Sequence, residues 1–316
     1  MGKNDWSNYP RSLNSDEISF IKEFDKQFPE PKEDIRKEEI GGLETVLDKL
    51  QEFERGIQYG RLYEVFGSRP PRGFLLAGPP GYGKTLIAKY LASSLDARFV
   101  DLPLTKFESK WVGDAAKKLS TYISSARMYG DILNRKVLLF FDEAEESFKS
   151  RSSGGWHGPR VNVLLREMDG MSKDNNQLIF GGATNHIEKI DSALLRAGRL
   201  DYIIKIPEYN SKQLSQVFKA VSNRINRLAP YHNPIKMHTK SFEKLGEYGK
   251  QYNITPSDVN EVYRRTTDSL VQKLISDTYD REKKINTITI NFKDVFSTLE
   301  EYCQTKDRKP LIGFNG

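Results

Sequence analysis

The sequence predicts an α/β protein: a parallel sheet with helices on both faces, followed by a smaller, mostly helical domain. Three observations carry this. Short, almost wholly apolar runs recur at Gly73–Ala77, Arg98–Leu102, Val137–Phe141, Gln177–Thr184 and Tyr202–Ile206, and such runs suit strands buried on both sides. Amphipathic segments such as Thr85–Leu95 and Asp114–Met128 lie between them, and strand alternating with helix is the pattern of a parallel sheet. After Pro207 the strand-like runs stop, and Leu214, Val217, Phe218, Val221, Ile225 and Leu228 step by three and four along one helical face.

Composition sets the limits. A chain of 316 residues with 37% hydrophobic and 29% charged residues is a globular protein with room for one large domain and a smaller one. No apolar run approaches the roughly 18 residues of a membrane span. The first stretch, MGKNDWSNYPRSLNSDEISFIKEFDKQFPE, lacks the apolar core of a signal peptide. A reducing, cytoplasmic setting is the expectation. The single cysteine, Cys303, excludes an internal disulfide and argues against a thiolate metal site. The 4 histidines are scattered and no HExxH occurs, so a zinc-peptidase reading fails. The net charge of +6 is spread among acidic residues. Its densest spots, REKK at 281–284 and KDRK at 306–309, are short and read as solvated faces rather than a nucleic-acid surface.

In chain order, residues 1–37 form a polar extension with Pro10, Pro29 and Pro31, and Asp16–Phe28 has the spacing of one short helix. Residues 38–207 hold the α/β domain, 208–305 the helical domain and 306–316 a tail. In the helical domain a second helix opens at Thr255-Pro256-Ser257-Asp258. A third runs from Phe292 to Tyr302, and Thr287–Ile290 reads as a short strand.

The chemistry begins at GFLLAGPPGYGKTLIAKYLA, which fits GxxxxGK[ST] with Gly78, Gly83, Lys84 and Thr85. Glycines let the backbone turn its N–H groups toward phosphate oxygens. Lys84 reaches the terminal phosphates, Thr85 offers a hydroxyl to Mg²⁺, and the following helix presents its positive end. The stretch Pro79, Pro80, Gly81, Tyr82, Gly83, Lys84, Thr85, Leu86 is therefore the candidate nucleotide cradle. Hydrolysis needs more than a cradle. The apolar run Val137–Phe141 leads directly into Asp142-Glu143, where Asp142 is placed to hold the Mg²⁺ water shell and Glu143 to accept a proton from attacking water. Asn185, at the end of LIFGGATN, brings an amide to another strand end, where open α/β sheets bind ligands. Arg196 and Arg199 in SALLRAGRLD are candidate fingers that neutralise charge in phosphoryl transfer, an effect of about 10³–10⁵ in rate.

Together these segments resemble the AAA family within the AAA+ ATPases, over about residues 38–265. The order EIGGLETV, PPRGFLLAGPPGYGKTLIAKYLA, SKWVGD, LLFFDEAE, RVNVLLREMDG, GATN and ALLRAGRLD carries the resemblance. It implies a five-stranded sheet in the order 5-1-4-3-2, a helical lid, and a homo-oligomeric ring, usually a hexamer, with ATP and Mg²⁺ between protomers. Lys84 and Thr85 then correspond to Walker A, Asp142 and Glu143 to Walker B and Asn185 to sensor 1. Arg196 and Arg199 become fingers acting on the neighbour's ATP. Asp169-Gly170 corresponds to the segment relaying nucleotide state between subunits, and the backbone at Ile40-Gly41 to an adenine contact. Three positions depart from the family pattern: Glu145 where Asp is more usual, Ala197 where Pro is usual, and ITPSDVNEVYRR in place of the common lid sequence.

One stretch, ESKWVGDAAKK, sets an apolar Trp-Val pair among charges. In the family that this chain resembles, an aromatic-apolar-Gly loop lines the ring's pore and grips extended polypeptide. Lys110, Trp111 and Val112 are the corresponding residues, and Trp156 is a weaker candidate for a second such loop. The expected function is therefore an ATP-hydrolysing ring that threads, unfolds or disassembles proteins, with residues 1–36 available to an adaptor. The alternatives are a nucleic-acid motor and a regulatory ring in which hydrolysis only sets assembly.

Overall fold

The computed structural model describes residues 13–31, 33–102, 112–149, 158–170, 177–229, 233–276, 289–306 and 308. Two compact units divide the chain. The first comprises Met1–Asp34, Asp48–Gly78 and Ile87–Lys205, and the second Ile35–Leu47, Pro79–Leu86 and Ile206–Gly316.

The first unit is built on β1 (Gly73–Ala77), β2 (Arg98–Asp101), β3 (Val137–Phe141), β4 (Leu178–Thr184) and β5 (Tyr202–Lys205). All pairings are parallel and the order is β2-β3-β4-β1-β5, which is the 5-1-4-3-2 arrangement the resemblance implies, read from the other edge. Every residue of β1, β3 and β4 is buried, so both faces are covered, as unbroken apolar runs require. Gly181 in β4 has a packing cause: a Cβ there would lie 2.5 Å from Cζ of Phe74 and 3.2 Å from Cδ2 of Phe140. Two neighbouring rings occupy the space a side chain would need.

Helices α2 (Glu44–Gln58), α3 (Gly60–Val65), α4 (Lys84–Ser94), α5 (Val112–Leu133), α6 (Ala144–Ser147) and α7 (Gly158–Asp169) punctuate the strands. Helix α5 runs beyond the Asp114–Met128 pattern because Ala115, Leu119, Ile123, Ala126, Tyr129 and Leu133 keep one face buried to its end. Asn134, at φ 46°, then turns the chain left-handed.

Helix α1 (Ser15–Gln27) is the helix expected over Asp16–Phe28. Asn14 caps it, accepting from the Glu17 N–H at 2.9 Å while Glu17 Oε2 accepts from Asn14 N at 3.0 Å. Its inner face joins the core of the first unit. Phe24 stacks on Tyr129 of α5 at 4.5 Å, and Phe28 meets Tyr122 edge-on at 5.4 Å. Arg98 of β2, 1% exposed, pairs with Asp25 and Glu30 at 2.9 Å each and donates to the Phe28 carbonyl. A buried guanidinium needs such partners, so the chain from Asp25 to Glu30 is held to β2 by charge as well as by rings.

The second unit contains α8 (Ser211–Leu228), α9 (Thr239–Gln251), α10 (Pro256–Ser276) and α11 (Phe292–Thr305). Of the strand expected at Thr287–Ile290, residues 287 and 288 lie outside the described residues, and Ile290 forms an isolated parallel bridge with Ile235. Asn226 of α8 secures that bridge, donating to Ile235 O at 3.0 Å and accepting from Ile235 N at 2.8 Å. Helix α9 has no counterpart in the sequence reading. Gly246 and Gly249 depress its helix propensity, yet both are buried. A Cβ on Gly246 would sit 2.3 Å from the Ser211 carbonyl oxygen and 2.6 Å from Ser215 N. The glycine permits backbone contact between α8 and α9.

This predicts a sign reversal. Gly→Ala within a helix ordinarily stabilises by about 1 kcal/mol. Gly246→Ala should instead destabilise by about 1–3 kcal/mol through overpacking, read as a lower urea midpoint with unchanged slope.

Candidate functional site

The glycine-rich loop leaves β1 at Gly78, whose N–H donates to the Thr184 carbonyl at 3.1 Å. Gly81 and Gly83 adopt φ 78° and 80°, a conformation costly for residues with a Cβ. Two such turns in three residues give the concave backbone that binds anions. Lys84, only 8% exposed, is the first residue of α4 and donates from Nζ to the Pro79 carbonyl at 2.8 Å. Thr85 and Leu86 continue the first turn of that 11-residue helix, whose N-terminus carries partial positive charge. Tyr82 packs on Tyr209 at 5.4 Å, and Ser257 N donates to the Gly81 carbonyl at 3.0 Å. Within the second unit, the loop is thus fastened to the start of α10.

The other polar groups gather on the carboxyl edge of the sheet. The register pairs Phe141 with Gly182 and Ala77 with Thr184, so β3, β4 and β1 end side by side. Their continuations are Asp142-Glu143, Asn185 and Gly78. Asp142 is half-buried and its Oδ1 accepts from Glu143 N at 3.0 Å. Glu143 is exposed and left-handed, at φ 49° and ψ 46°. A residue with a Cβ pays roughly 1–2 kcal/mol there, and such strain concentrates where a side chain must be aimed. Glu145 was legible only as a departure from the family pattern. It is 4% exposed, and its Oε1 accepts from Asn185 N at 3.1 Å. That bond ties the turn after β3 to the end of β4.

The two arginines differ. Arg199 is held by Asp169, at the end of α7, through paired contacts of 3.0 and 2.7 Å, and donates to the Ala193 carbonyl at 2.5 Å. The Arg199 bond keeps the Asp169 carboxyl below its ordinary range. Arg196 is exposed. Among the described residues no carboxylate pairs with it.

In the second unit, Ile40 is 8% exposed, and Gly41 presses its backbone against α8: a Cβ there would lie 2.3 Å from the Gln216 carbonyl. Gly42, at φ 76°, accepts from Gln213 Nε2 at 2.9 Å. The neighbouring Glu39, 5% exposed, binds Arg227 at 2.5 Å. At the head of α10, Asp258 accepts from Thr255 N at 2.8 Å, Thr255 Oγ1 at 2.7 Å, Arg308 at 2.9 Å and Tyr302 at 2.5 Å. Burial raises its pKa, but these bonds outweigh burial and leave the carboxyl below the usual value of 3.8. Burial, then the bond to Asp258, pushes the Tyr302 phenol up to about 12.

Lys110 and Trp111 lie outside the described residues, as does Trp156; Val112 is the first residue of α5. Among the described residues no three His, Cys, Asp or Glu side chains converge as a metal cage, and no helix is long and apolar enough to cross a membrane.

Residues 74–208 match the family model of the ATPase family associated with various cellular activities (AAA). Two curated relatives, from Corynebacterium glutamicum strains R and ATCC 13032, are each described as an AAA ATPase forming ring-shaped complexes. Each is 36% identical over 203 residues, covering 60% of this chain and 38% of the relative. The chain thus matches well under half the length of these relatives.

The Asp258 cluster makes a pH-dependent prediction. A carboxyl with a lowered folded pKa contributes stability that is fully present above its unfolded value and is lost as pH falls through the folded one. Tyr302→Phe should cost about 1.5–3 kcal/mol at pH 7. Below about pH 3.8, as Asp258 protonates in both proteins, the gap between their urea midpoints should narrow.

Proposed function

Because residues 74–208 constitute an AAA-family domain, we propose that the protein is a Mg²⁺-dependent ATPase that assembles into a ring and uses hydrolysis to thread, unfold or disassemble protein substrates. The observation that carries the catalytic part is the shared edge of β3, β4 and β1, where Asp142, the strained Glu143 and Asn185 stand at the ends of adjacent strands. The ring is argued from the relatives' description and from Arg196, an exposed arginine that no carboxylate of the described residues engages.

In this reading the loop Pro79–Gly83, Lys84 and the start of α4 bind the phosphates, and Ile40-Gly41 lies by the base. The residues fit Mg²⁺: it takes one or two protein oxygens beside substrate phosphates rather than an all-protein cage, and Thr85 and Asp142 would supply them. When bound, the metal neutralises charge on the phosphate oxygens. Glu143 accepts a proton from water as the water oxygen bonds to the γ-phosphorus. The bond from that phosphorus to the β–γ bridging oxygen breaks, and ADP and phosphate leave. Asn185 orients the water or the γ-phosphate, with Glu145 holding its backbone. Arg196 reaches the nucleotide of a neighbouring copy. Arg199, bound to Asp169, supports the segment that presents Arg196. Lys110, Trp111 and Val112 grip the polypeptide in the pore.

Glu143→Gln should lower ATP turnover by about 10²–10⁴ while nucleotide still raises the melting temperature. Arg196→Ala should also be inactive. Mixing it with Glu143→Gln should restore part of the activity, because one supplies the base and the other the arginine. No recovery would place Arg196 in its own subunit's site.

Turnover should rise with an unfolded polypeptide and not with single-stranded DNA, and Trp111→Ala should abolish that rise. Stimulation by DNA alone would support the nucleic-acid motor. Turnover indifferent to both additions and to Trp111→Ala would support the regulatory ring.

A further inference from the structure

The chain just after α11 is tied back into the second unit. Arg308 N donates to the Cys303 carbonyl at 3.1 Å, which keeps the chain against the last turn of the helix. The guanidinium then meets two groups much earlier in the sequence. Its Nη1 donates to the Asn253 carbonyl at 2.5 Å and its Nη2 to Asp258 Oδ2 at 2.9 Å. The Arg308 side chain is 24% exposed and that of Asp258 11%. The pair is therefore a partly buried, charge-assisted one, stronger than a solvated surface contact.

The two acceptors flank one short turn. Asn253, left-handed at φ 52°, follows α9, and Asp258 stands in the first turn of α10. Between them lie Thr255 and Ser257, and both meet the glycine-rich loop. Ser257 N donates to the Gly81 carbonyl at 3.0 Å. A Cβ on Gly81 would lie 3.0 Å from Thr255 Oγ1 and 3.4 Å from Ser257 Cβ, so the turn is packed directly on the loop. Gly81 is also one of the two left-handed residues that make the loop concave, at φ 78°. Thr255 is bonded in turn to Asp258, through N at 2.8 Å and Oγ1 at 2.7 Å. A continuous path thus runs from Arg308 through Asp258 and Thr255, along one turn of backbone, to Ser257 and Gly81. Among the described residues, the other donors to Asp258 are Thr255 and Tyr302, which carry no charge.

The geometry points to Arg308 as a positioning residue for nucleotide. By clamping Asn253 to Asp258 it holds the turn that fixes Gly81, and so sets how tightly the loop takes phosphate. This rests on the nucleotide reading of that loop. The fork of a guanidinium suits the task, because two nitrogens serve two acceptors; a lysine ammonium is a single point charge on a flexible stem. Coupling between sites is reciprocal. If Arg308 tightens the loop on nucleotide, nucleotide in the loop tightens the hold on Arg308 by the same factor. The segment after α11, which reads in sequence as a mere tail, becomes a handle on nucleotide affinity.

The test is titration of a fluorescent ADP analogue, with Mg²⁺, into wild type, Arg308→Ala and Arg308→Lys. The control is Arg264→Ala, whose guanidinium is 61% exposed and pairs with Glu261 and Asp268 on its own helix. Arg308→Ala should raise Kd by about tenfold, inside the usual range for coupled sites. Arg308→Lys should raise it less, and Arg264→Ala should leave it unchanged. In ATP turnover the loss should fall on KM, with kcat within about twofold of wild type, because binding rather than the chemical step is weakened. A further arm needs no variant to fold. Trypsin should cut wild type after Arg308, releasing the peptide that begins at Lys309, about tenfold more slowly once ADP is bound. Arg308→Ala that melts lower yet binds with the wild-type Kd would overturn the inference, leaving Arg308 a structural brace and the nucleotide reading intact. Cleavage after Arg308 that is indifferent to ADP, or a loss confined to kcat, would overturn it as well. Wild type that fails to bind the analogue would overturn the nucleotide reading and this inference together.

Discussion

The constraint on which the first unit depends is the parallel ladder of β3, β4 and β1, buried on both faces. With every residue of these strands out of water, polar side chains are admitted only at the ends. Because the strands run the same way, those ends fall on one edge. Asp142, Glu143, Asn185 and Gly78 occupy it in consecutive strands. Glu145 then binds the turn after β3 to the end of β4 through a backbone N–H rather than a side chain. The ends of these strands are therefore held at fixed spacing by protein contacts alone. The left-handed Glu143 is a local cost that this framework sustains.

Charge inside the first unit is used in two ways. Arg98 is buried and paired with the end of α1 and the chain just after it, where Asp25, Glu30 and the Phe28 carbonyl surround it. Arg199 is committed to Asp169 and a carbonyl. Arg196, three residues before it, stays exposed. Arg199 thus fixes the loop on which Arg196 stands. A pair of arginines that looks equivalent in sequence divides into an anchored side chain and an exposed one.

The second unit solves a different problem, close approach of backbones. Gly41, Gly42 and Gly246 all abut α8 at distances that leave no space for a Cβ. The Asp258 cluster, with donors from Thr255, Tyr302 and Arg308, fixes the head of α10. Ser257 in that first turn donates to the Gly81 carbonyl. The departure of ITPSDVNEVYRR from the common lid sequence therefore has a structural content: Asp258 is an internal cap and junction, satisfied by protein groups.

The sequence by itself determined the five strands to within a residue or so, and it located α1, α4, α5, α8, α10 and α11. Burial on two faces leaves an unbroken apolar run, and burial on one face leaves a period of three to four, so both are written locally. The glycine loop and the strand-end carboxylates were legible for the same reason: each sits at a junction that apolar runs define. What only the tertiary structure decided depends on residues far apart in the chain. Helix α9 was hidden because its glycines answer to α8, not to helix propensity. Arg98 looked like the polar start of a strand until Asp25 and Glu30, some seventy residues earlier, were folded against it. Glu145 gained a role only when β4 brought Asn185 to it. The difference between the exposed Arg196 and the anchored Arg199 was set by Asp169, thirty residues away from Arg199. A local pattern records how a segment meets water, but which distant group meets a given charge or backbone atom is fixed only when the chain is folded.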